Sequence, residues 1–393
     1  MLLIFVEKSR EEIMKLLIHD LDDEEWGKIC ENYKDWEIIS DNGTIKPCVG
    51  CFGCWLKEPG ECIIKDGYEK MGALIHKAEE IEVISTYTYG GFSRFVKNVF
   101  DRSIGWVLPY FEINHGEMHH KRRYPEDKQI TFIFRGLLSE SDKIKAKTYV
   151  EAVCRNFHGI IKEIRFEECP VKADMITISG TSDPDKIVLL NCSLRADNSN
   201  SKKFLDRMSS DIRGNVESIN LSTYINRYDE LVEMLARTST IVLGIPLYVD
   251  GIPSALLRVM ERLEHCRMAG EKHIYVVSNM GFYESVQLKN LMSMVKTWCE
   301  KCGYTYGGGV AIGAGEMIGS VITSTDKGPA KYAAQALNRL SSAINDLEDI
   351  EDIYADAYRF PRALYMFAAD LGWPKGAKKN GLKRKDLYRQ VIL

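Results

Sequence analysis

The sequence contains no run of eighteen apolar residues, which is about the shortest stretch that crosses a membrane as a helix. Its first apolar stretch, residues 2–6, is too short for a signal peptide and has no basic region ahead of it. The formal net charge is only −4, so neither nucleic acid nor an anionic membrane is expected as a partner. These absences predict a cytoplasmic globular protein, and the 45% apolar and 27% charged residues agree with that class.

The sequence has eleven cysteines and no recognisable secretion signal, so metal binding or redox chemistry explains these cysteines better than a disulfide framework does. Four of them follow a Cys-x2-Cys-x2-Cys-x7-Cys spacing: Cys48, Cys51, Cys54 and Cys62. Four thiolates so close together suit a tetrahedral sulfur site, and zinc and iron–sulfur both satisfy that chemistry. Three cysteines at successive x2 spacing favour a [4Fe–4S] cluster. A zinc site, a redox dithiol and unliganded thiols remain the alternatives.

Short apolar runs alternate with helical patterns of ten or more residues in the second half of the chain. The runs near residues 187–190, 216–219, 241–245 and 274–278 predict buried parallel strands with helices on both faces of the sheet. The first half is predicted to begin with a strand at residues 2–6, a helix at residues 10–21 and a second strand at residues 36–40.

The two halves share a pattern that predicts an internal duplication. An offset of 160 superposes Gly91 on Gly251 and Arg102 on Arg262. The later strand at residues 128–133 matches residues 272–277 at an offset of only 144, because the first half carries a longer insert around residues 114–125. We therefore predict an α/β protein with two tandem doubly wound parallel sheets. Its domains are residues 1–182, residues 183–345 and a helical C-terminal appendage of residues 346–393.

Ligands of doubly wound sheets lie outside the carboxyl ends of the strands. The loop that follows the first strand of the second half is rich in hydroxyls and amides, contains Arg195, and leads into a helix whose free N–H groups attract anions. It is a candidate cradle for a phosphate monoester, and a plain helix N-cap is the alternative. Two later loops offer a tyrosine and turn backbone for a planar ring, and amides with a flexible glycine for its polar edge.

Together the three loops predict a flavin mononucleotide (FMN) site. The candidate residues are Ser193, Arg195, Ser199, Asn200, Ser201, Pro246, Leu247, Tyr248, Val249, Gly251, Asn279, Gly281 and Phe282. The insert of the first half adds His115, His119 and His120 ahead of a basic run, which either binds an anionic substrate or is a solvated loop.

These loops resemble those of the flavodoxin-like NAD(P)H-dependent FMN reductases. The resemblance rests on Ser193-x-Arg195 with residues 199–201, on Pro246-Leu247-Tyr248 with Gly251, and on Asn279-Met280-Gly281-Phe282. The cysteine run resembles the compact motif of the iron–sulfur flavoproteins in the same superfamily. Cys192 and Leu194 depart from the glycine and proline that are usual in the family's phosphate loop.

The resemblance implies two flavodoxin-like domains, FMN as cofactor, NAD(P)H as co-substrate and a small-molecule electron acceptor such as a quinone, an azo or nitro compound, or free flavin. It also implies that a cluster of one subunit lies near the flavin of another. We therefore predict that this chain is such a dimer fused into one polypeptide, with a cluster in a degenerate first domain and FMN in the second. Flavin carries the hard chemistry, so no catalytic residue is assigned, and Tyr248 and Asn279 are predicted to tune the ring.

Two other functions remain open. The chain could be an electron-transfer flavoprotein that ferredoxin reduces and that has no substrate of its own. It could also be a non-enzymatic binding or scaffold protein with a vestigial flavin pocket, which the altered phosphate loop favours. Pairing of two chains into a homodimer is equally open.

Overall fold

The computed structural model of the protein describes residues 14–169, 183–266, 270–323 and 325–393. Within these ranges the strands are β1 (Lys15–His19), β2 (Trp36–Ile39), β3 (Glu80–Thr86), β4 (Val107–Asn114), β5 (Glu117–Arg122), β6 (Lys128–Arg135), β7 (Gly159–Glu167), β8 (Asp183–Asn191), β9 (Asn215–Asn220), β10 (Thr238–Pro246), β11 (His273–Asn279), β12 (Thr305–Ile312) and β13 (Ile353–Ala355). The α-helices are α1 (Asp23–Ile29), α2 (Gly53–Leu56), α3 (Met71–Lys77), α4 (Arg94–Arg102), α5 (Glu140–Phe157), α6 (Asn200–Ser209), α7 (Tyr228–Ala236), α8 (Ser254–Glu264), α9 (Lys289–Cys302), α10 (Gly315–Val321), α11 (Lys331–Asp346) and α12 (Arg362–Lys379).

Two parallel sheets with the same strand order dominate the fold. The first has the order β2-β1-β3-β6-β7 and the second has the order β9-β8-β10-β11-β12-β13. Every neighbouring pair within them is parallel. Counted within its own sheet, each order begins 2-1-3-4-5, which is the flavodoxin-like arrangement of doubly wound folds. The predicted fold class, with two tandem flavodoxin-like sheets, is therefore confirmed.

The start of the first sheet corrects the sequence prediction. Residues 10–21 were expected to form a helix, but Lys15–His19 is strand β1, paired with β2 on one side and β3 on the other. Leu16, Leu17 and Ile18 are each at most 1% exposed, because this inner strand is covered on both faces. The charged residues on both sides of this short apolar run recur at a spacing typical of a helix, which is why the sequence predicted one. The strand predicted at residues 2–6 lies outside the described residues.

The second sheet contains strands at all four predicted positions, and its alternating side chains fill two different cores. Val188 and Leu190 of β8 face the helices α7, α8 and α9, whereas Leu189 faces α6 and α11. The sequence did not predict β13, which pairs with β12 at the edge of this sheet although it lies within the range assigned to the appendage. The division into three domains at residues 182 and 345 stays a proposal.

The two halves meet through matching elements. Helix α4 packs on α8, and helix α5 packs on α9, so each helix contacts its counterpart of the other half. The turn Thr88–Gly91 and the turn Tyr248–Gly251 each close with a β-bridge, at the offset of 160 seen in the sequence. One continuous apolar cluster runs from the first sheet through this contact into the second. The halves thus share a core.

Two parts of the chain lie outside the sheets and pack on each other. Strands β4 and β5 form an antiparallel hairpin, and the long helix α12 packs against β4 and against the short helix α2. The segment beyond α12 is held by Arg123, whose guanidinium donates to the carbonyl oxygens of Leu387 at 2.8 Å and Arg389 at 2.7 Å. In the described ranges, no helix combines the length and apolar character that a membrane span needs.

Helix α12 gives a first testable prediction. Gly372 lies inside this helix, and a methyl group placed on its Cα would meet no atom within 4 Å. We expect Gly372→Ala to raise the free energy of unfolding by about 0.5–1 kcal/mol, because alanine lowers the entropy of the unfolded chain without a steric cost. Urea denaturation would measure the change. Gly376→Ala is the matched control, since its methyl group would lie 3.1 Å from Leu56 Cδ2, and an equal gain there would contradict the argument.

Candidate functional site

A cavity of about 610 Å³ lies between the cysteine motif of the first half and the loops at the carboxyl ends of the second sheet. Its size is within the range of roughly 300–1,000 Å³ that small-molecule sites occupy. The first half contributes all four motif cysteines, and the second contributes residues from the loops after β8, β10 and β11. Helix α12 supplies a further wall. The two sets of residues predicted from sequence, separated by more than a hundred positions, therefore border one space.

Arg102, at the end of α4, fixes the cysteine loop. Its guanidinium is buried and forms a bidentate pair with Asp66, with both N···O distances at 2.9 Å. It also donates to the backbone oxygens of Lys46 and Ile64, at 2.8 Å and 3.0 Å. Its Nε donates to Cys62 Sγ at 3.0 Å. One buried guanidinium therefore ties Cys62 and the backbone on both sides of the motif to the end of α4.

Two other motif thiols, those of Cys48 and Cys54, are buried in an environment that disfavours the thiolate form. Burial raises the pKa of Cys48 to about 12 and raises the pKa of Cys54 well above that of an ordinary thiol. Smaller contributions from the neighbouring Cys51 and Cys62 act in the same direction on both thiols. Both cysteines are thus protonated at neutral pH, and any metal would have to displace those protons.

The thiols do not form a preassembled metal site. Among the residues that the structure describes, no group of three or more His, Cys, Asp or Glu side chains is placed to hold a metal ion. No disulfide joins any of the eleven cysteines, all of which lie in the described ranges, and Cys51 of the motif is exposed. The motif therefore supplies a sulfur donor set along one cavity wall without a closed coordination sphere.

Tyr248 joins the cysteine loop to the second sheet. Its ring packs directly on Gly50, where a methyl group would overlap the tyrosine hydroxyl and lie 2.8 Å from Cζ. Burial, followed by the nearby Cys48, raises the pKa of Tyr248, and a hydrogen bond with Ser193 partly opposes the shift. One side chain thus touches the cysteine motif and the predicted phosphate loop together.

The turn that carries Tyr248 is strained and firmly held. Val249 has φ of 38° and Asp250 has φ of 57°, a left-handed conformation that a β-branched residue such as valine rarely adopts. The buried Lys97 donates to Tyr248 O at 2.7 Å, and Asn156 Nδ2 donates to both Asp250 carboxylate oxygens, at 2.7 Å and 2.8 Å. Groups of the first half therefore maintain this turn, and strain of this kind concentrates at functional sites.

In the predicted phosphate loop, the arginine side chain borders the cavity and the predicted serines do not. Arg195 borders the cavity, lies over the Phe52 ring at 5.6 Å and pairs with Glu316 at 3.3 Å. Ser199 caps α6 by accepting from Lys202 N at 3.2 Å, as the N-cap alternative requires. Ser201 accepts from Asn279 Nδ2 at 2.8 Å. Ser199 also donates to Ala196 O at 2.8 Å, so a bound phosphate would need this hydroxyl to exchange its present hydrogen bond.

The structure brings together only part of the predicted site. The predicted residues that border the cavity are Arg195, Leu247, Tyr248, Val249, Gly281, Phe282, Cys48, Cys51, Cys54 and Cys62. Those that do not border it are Ser193, Ser199, Asn200, Ser201, Pro246, Gly251 and Asn279. No contact tests whether either group binds flavin, so the assignment stays a prediction.

The histidine-rich insert is not the solvated loop that was one reading of the sequence. His119 is 2% exposed and its Nδ1 lies 2.6 Å from Asn156 Oδ1, whereas the ring of His120 borders the cavity. Burial lowers the pKa of His120 to about 3, so it is neutral at physiological pH. The exposed His115 lies apart, at the tip of the hairpin.

Sequence reasoning missed Trp55 and Trp373, which border the cavity with ring centroids 5.3 Å apart. A signal for Trp55 existed, because it directly follows Cys54. Trp373 belongs to a C-terminal aromatic stretch that suggests packing of the appendage on the core or on a partner subunit, but its contact with Trp55 depends on where α12 docks.

No family model and no curated protein matches the chain. Solved structures with some similarity include an azoreductase from Bacillus anthracis strain Sterne, at 15% identity over 41% of this chain and 99% of that one, with a TM-score of 0.31. A flavone reductase matches at 13% identity over 43% of this chain and 66% of that one, with a TM-score of 0.33. An FMN-dependent NADH-azoreductase from Bacillus anthracis strain Ames Ancestor, solved with FMN, matches at 14% identity over 50% and 98%, with a TM-score of 0.22. Likeness at this level carries no argument about function, and the fold assignment rests on the strand order alone.

Proposed function

We propose that the protein is a flavin-dependent oxidoreductase that binds FMN against the loops of the second sheet and uses NAD(P)H as hydride donor. The observation that carries the proposal is the shared cavity, which lies at the carboxyl ends of parallel strands, where doubly wound folds bind ligands. When bound, flavin would supply hydride acceptance and one-electron transfer.

The residues around the cavity fit the ring of FMN better than its phosphate. Leu247, Tyr248 and Phe282 offer apolar and aromatic surface, and Gly281 leaves open space where a side chain would stand. Arg195 provides the positive charge for the phosphate, although Glu316 neutralises it at present. The phosphate end is thus the weaker part of the fit.

We further infer that the chain arose by tandem duplication and corresponds to a fused dimer. The equal strand orders, the matching β-bridges and the pairing of equivalent helices support this inference. On this proposal Cys48, Cys51, Cys54 and Cys62 would hold a [4Fe–4S] cluster beside the flavin. The cysteine spacing and the common cavity wall support the cluster, whereas the absence of a preassembled metal site among the described residues counts against it.

Cofactor content tests the proposal. Anaerobically purified protein is expected to contain about one flavin and about four iron atoms with acid-labile sulfide per chain, measured by absorption spectroscopy and chemical analysis. Cys54→Ser should remove most of the iron and leave the flavin, because serine is a poor ligand for this metal. Cys30→Ser, outside the cavity, is the control.

Other outcomes of this measurement assign other functions. Flavin without iron would leave a plain flavin reductase and refute the cluster. Neither cofactor, even after reconstitution, would refute the redox function and support the scaffold protein, which the internally bonded hydroxyl of Ser199 favours. Flavin that ferredoxin reduces and NAD(P)H does not would support the electron-transfer protein.

A further inference from the structure

The aromatic end of the cavity is built by the two parts of the chain that lie outside the sheets. Trp373 of α12 meets the rings of Phe52 at 5.6 Å and Trp55 at 5.3 Å, both nearly perpendicular. His120 of the β4–β5 hairpin lies 4.7 Å from the Trp55 ring and 5.2 Å from the Phe282 ring. These five rings border the same cavity.

One polar atom at this end has no partner. Within the described part of the chain, Trp373 Nε1 is buried and lacks a hydrogen-bond partner. The His120 ring, in contrast, interacts with the backbone of Leu108 and Pro109. Trp55 Nε1 likewise has a partner, since it donates to Val107 O at 2.9 Å. Buried N–H groups are nearly always paired, and an unpaired one in a binding cavity points to a group that a ligand supplies. The indole N–H can only donate, so that group must accept a hydrogen bond.

We propose that this end of the cavity binds a flat, uncharged aromatic molecule that carries a hydrogen-bond-accepting oxygen, with Trp373 Nε1 as the donor to that oxygen and the His120 ring as a packing contact. The surrounding rings supply the stacking and edge-to-face surface that a planar ligand needs. A fully charged ligand fits poorly, because neither Trp373 nor the neutral His120 carries charge and the nearby Arg195 is already paired with Glu316. The role of this molecule as the electron acceptor rests on the proposed function, but its binding does not.

Binding of two matched small molecules tests the site. Para-nitrotoluene has accepting oxygens where para-xylene has a methyl group, and neither reacts with thiols. Their affinities for the full-length protein would be measured by equilibrium dialysis, without NAD(P)H. We expect Trp373→Phe, which keeps a ring and removes the donor, to weaken para-nitrotoluene by about three- to tenfold and to change para-xylene by less than about twofold, as the loss of one net hydrogen bond implies.

The unmodified protein should bind para-nitrotoluene about three- to tenfold more tightly than para-xylene, and this comparison keeps the test valid if Trp373→Phe fails to fold. Trp26→Phe is the control, since this ring stacks on His19 outside the cavity and should leave both affinities unchanged. Equal losses for both compounds would mean that Trp373 contributes packing only, and would overturn the proposal. So would the failure of para-nitrotoluene to bind.

An FMN titration of the same variants separates this site from the flavin site. If Trp373→Phe weakens FMN and leaves para-nitrotoluene unchanged, the indole nitrogen belongs to the flavin site and the proposal is wrong. If the protein binds no flavin at all but shows the expected selectivity, the proposed redox function fails and the aromatic site stands.

Discussion

Gly50→Ala is expected to lower the free energy of unfolding by about 2–4 kcal/mol, one of the largest effects of a single methyl group in this protein. Two costs add. Gly50 has φ of +65°, which an L-residue adopts with strain, and its added methyl group would overlap the hydroxyl of Tyr248. Urea denaturation followed by tryptophan fluorescence would measure the change. The same variant should lose bound iron if the proposed cluster forms, because the loop between Cys48 and Cys51 has to move.

A double-mutant cycle separates the two costs. Tyr248→Phe removes the overlapping oxygen, so the Gly50→Ala penalty should be smaller in that background by about 1 kcal/mol or more. Gly43→Ala is the control for strain alone, since Gly43 has φ of +78° and a methyl group there would meet no atom within 4 Å. If Gly50→Ala costs no more than Gly43→Ala, then the ring of Tyr248 does not pack against the cysteine loop.

Lys97→Met is expected to cost about 3–5 kcal/mol of unfolding free energy, because it leaves the carboxylate of Asp101 buried without a cation. Both side chains of this ion pair are 0% exposed. The pair also ties the halves together: Lys97 donates to Tyr248 O at 2.7 Å, and Asp101 accepts from Ser254 N at 3.2 Å. Lys186→Met is the control, as its pair with Glu217 is partly exposed and should be worth about 0–1 kcal/mol.

The Lys97→Met penalty should depend on pH. Burial already raises the pKa of Asp101, although Lys97 opposes the shift, so loss of Lys97 raises that pKa further. The folded variant then retains a proton that the unfolded chain releases above about pH 4, and its stability must fall as the pH rises from about 4 to 7. Lys97→Met with Asp101→Asn should recover part of the loss and remove this pH dependence. A penalty that is the same at pH 4.5 and pH 7 would refute the assignment to Asp101.

Local patterns were enough to predict most of the second sheet. Its strands are continuous apolar runs bounded by turn residues, and its helices are long enough to show a clear period, so residues 187–190 and 274–278 were placed correctly. The prediction for the start of the first sheet was wrong for the opposite reason. Lys15–His19 is short, and acidic and basic residues on both sides gave it a helical period that pairing with β2 and β3 overrides.

The candidate site was predicted only in part, because sequence shows which side chains follow a strand but not which way they face. Ser199 and Ser201 follow β8 as expected, yet their hydroxyls bond within the protein. Arg195, from the same loop, faces the cavity and the Phe52 ring. The conformation of one loop thus directs the guanidinium of Arg195 to the cavity, whereas the hydroxyls of Ser199 and Ser201 bond within the protein.

The sequence by itself determined the two flavodoxin-like sheets and the cysteine motif, since both depend on spacing along a few tens of residues. Only the tertiary structure decided that Tyr248 lies on Gly50, that His120 and Trp373 close the aromatic end of the cavity, and that the cysteines face the loops of the second sheet. These contacts join residues from separate elements and depend on how the two halves and α12 dock. Docking is set by the summed packing of a shared core, which no local pattern encodes.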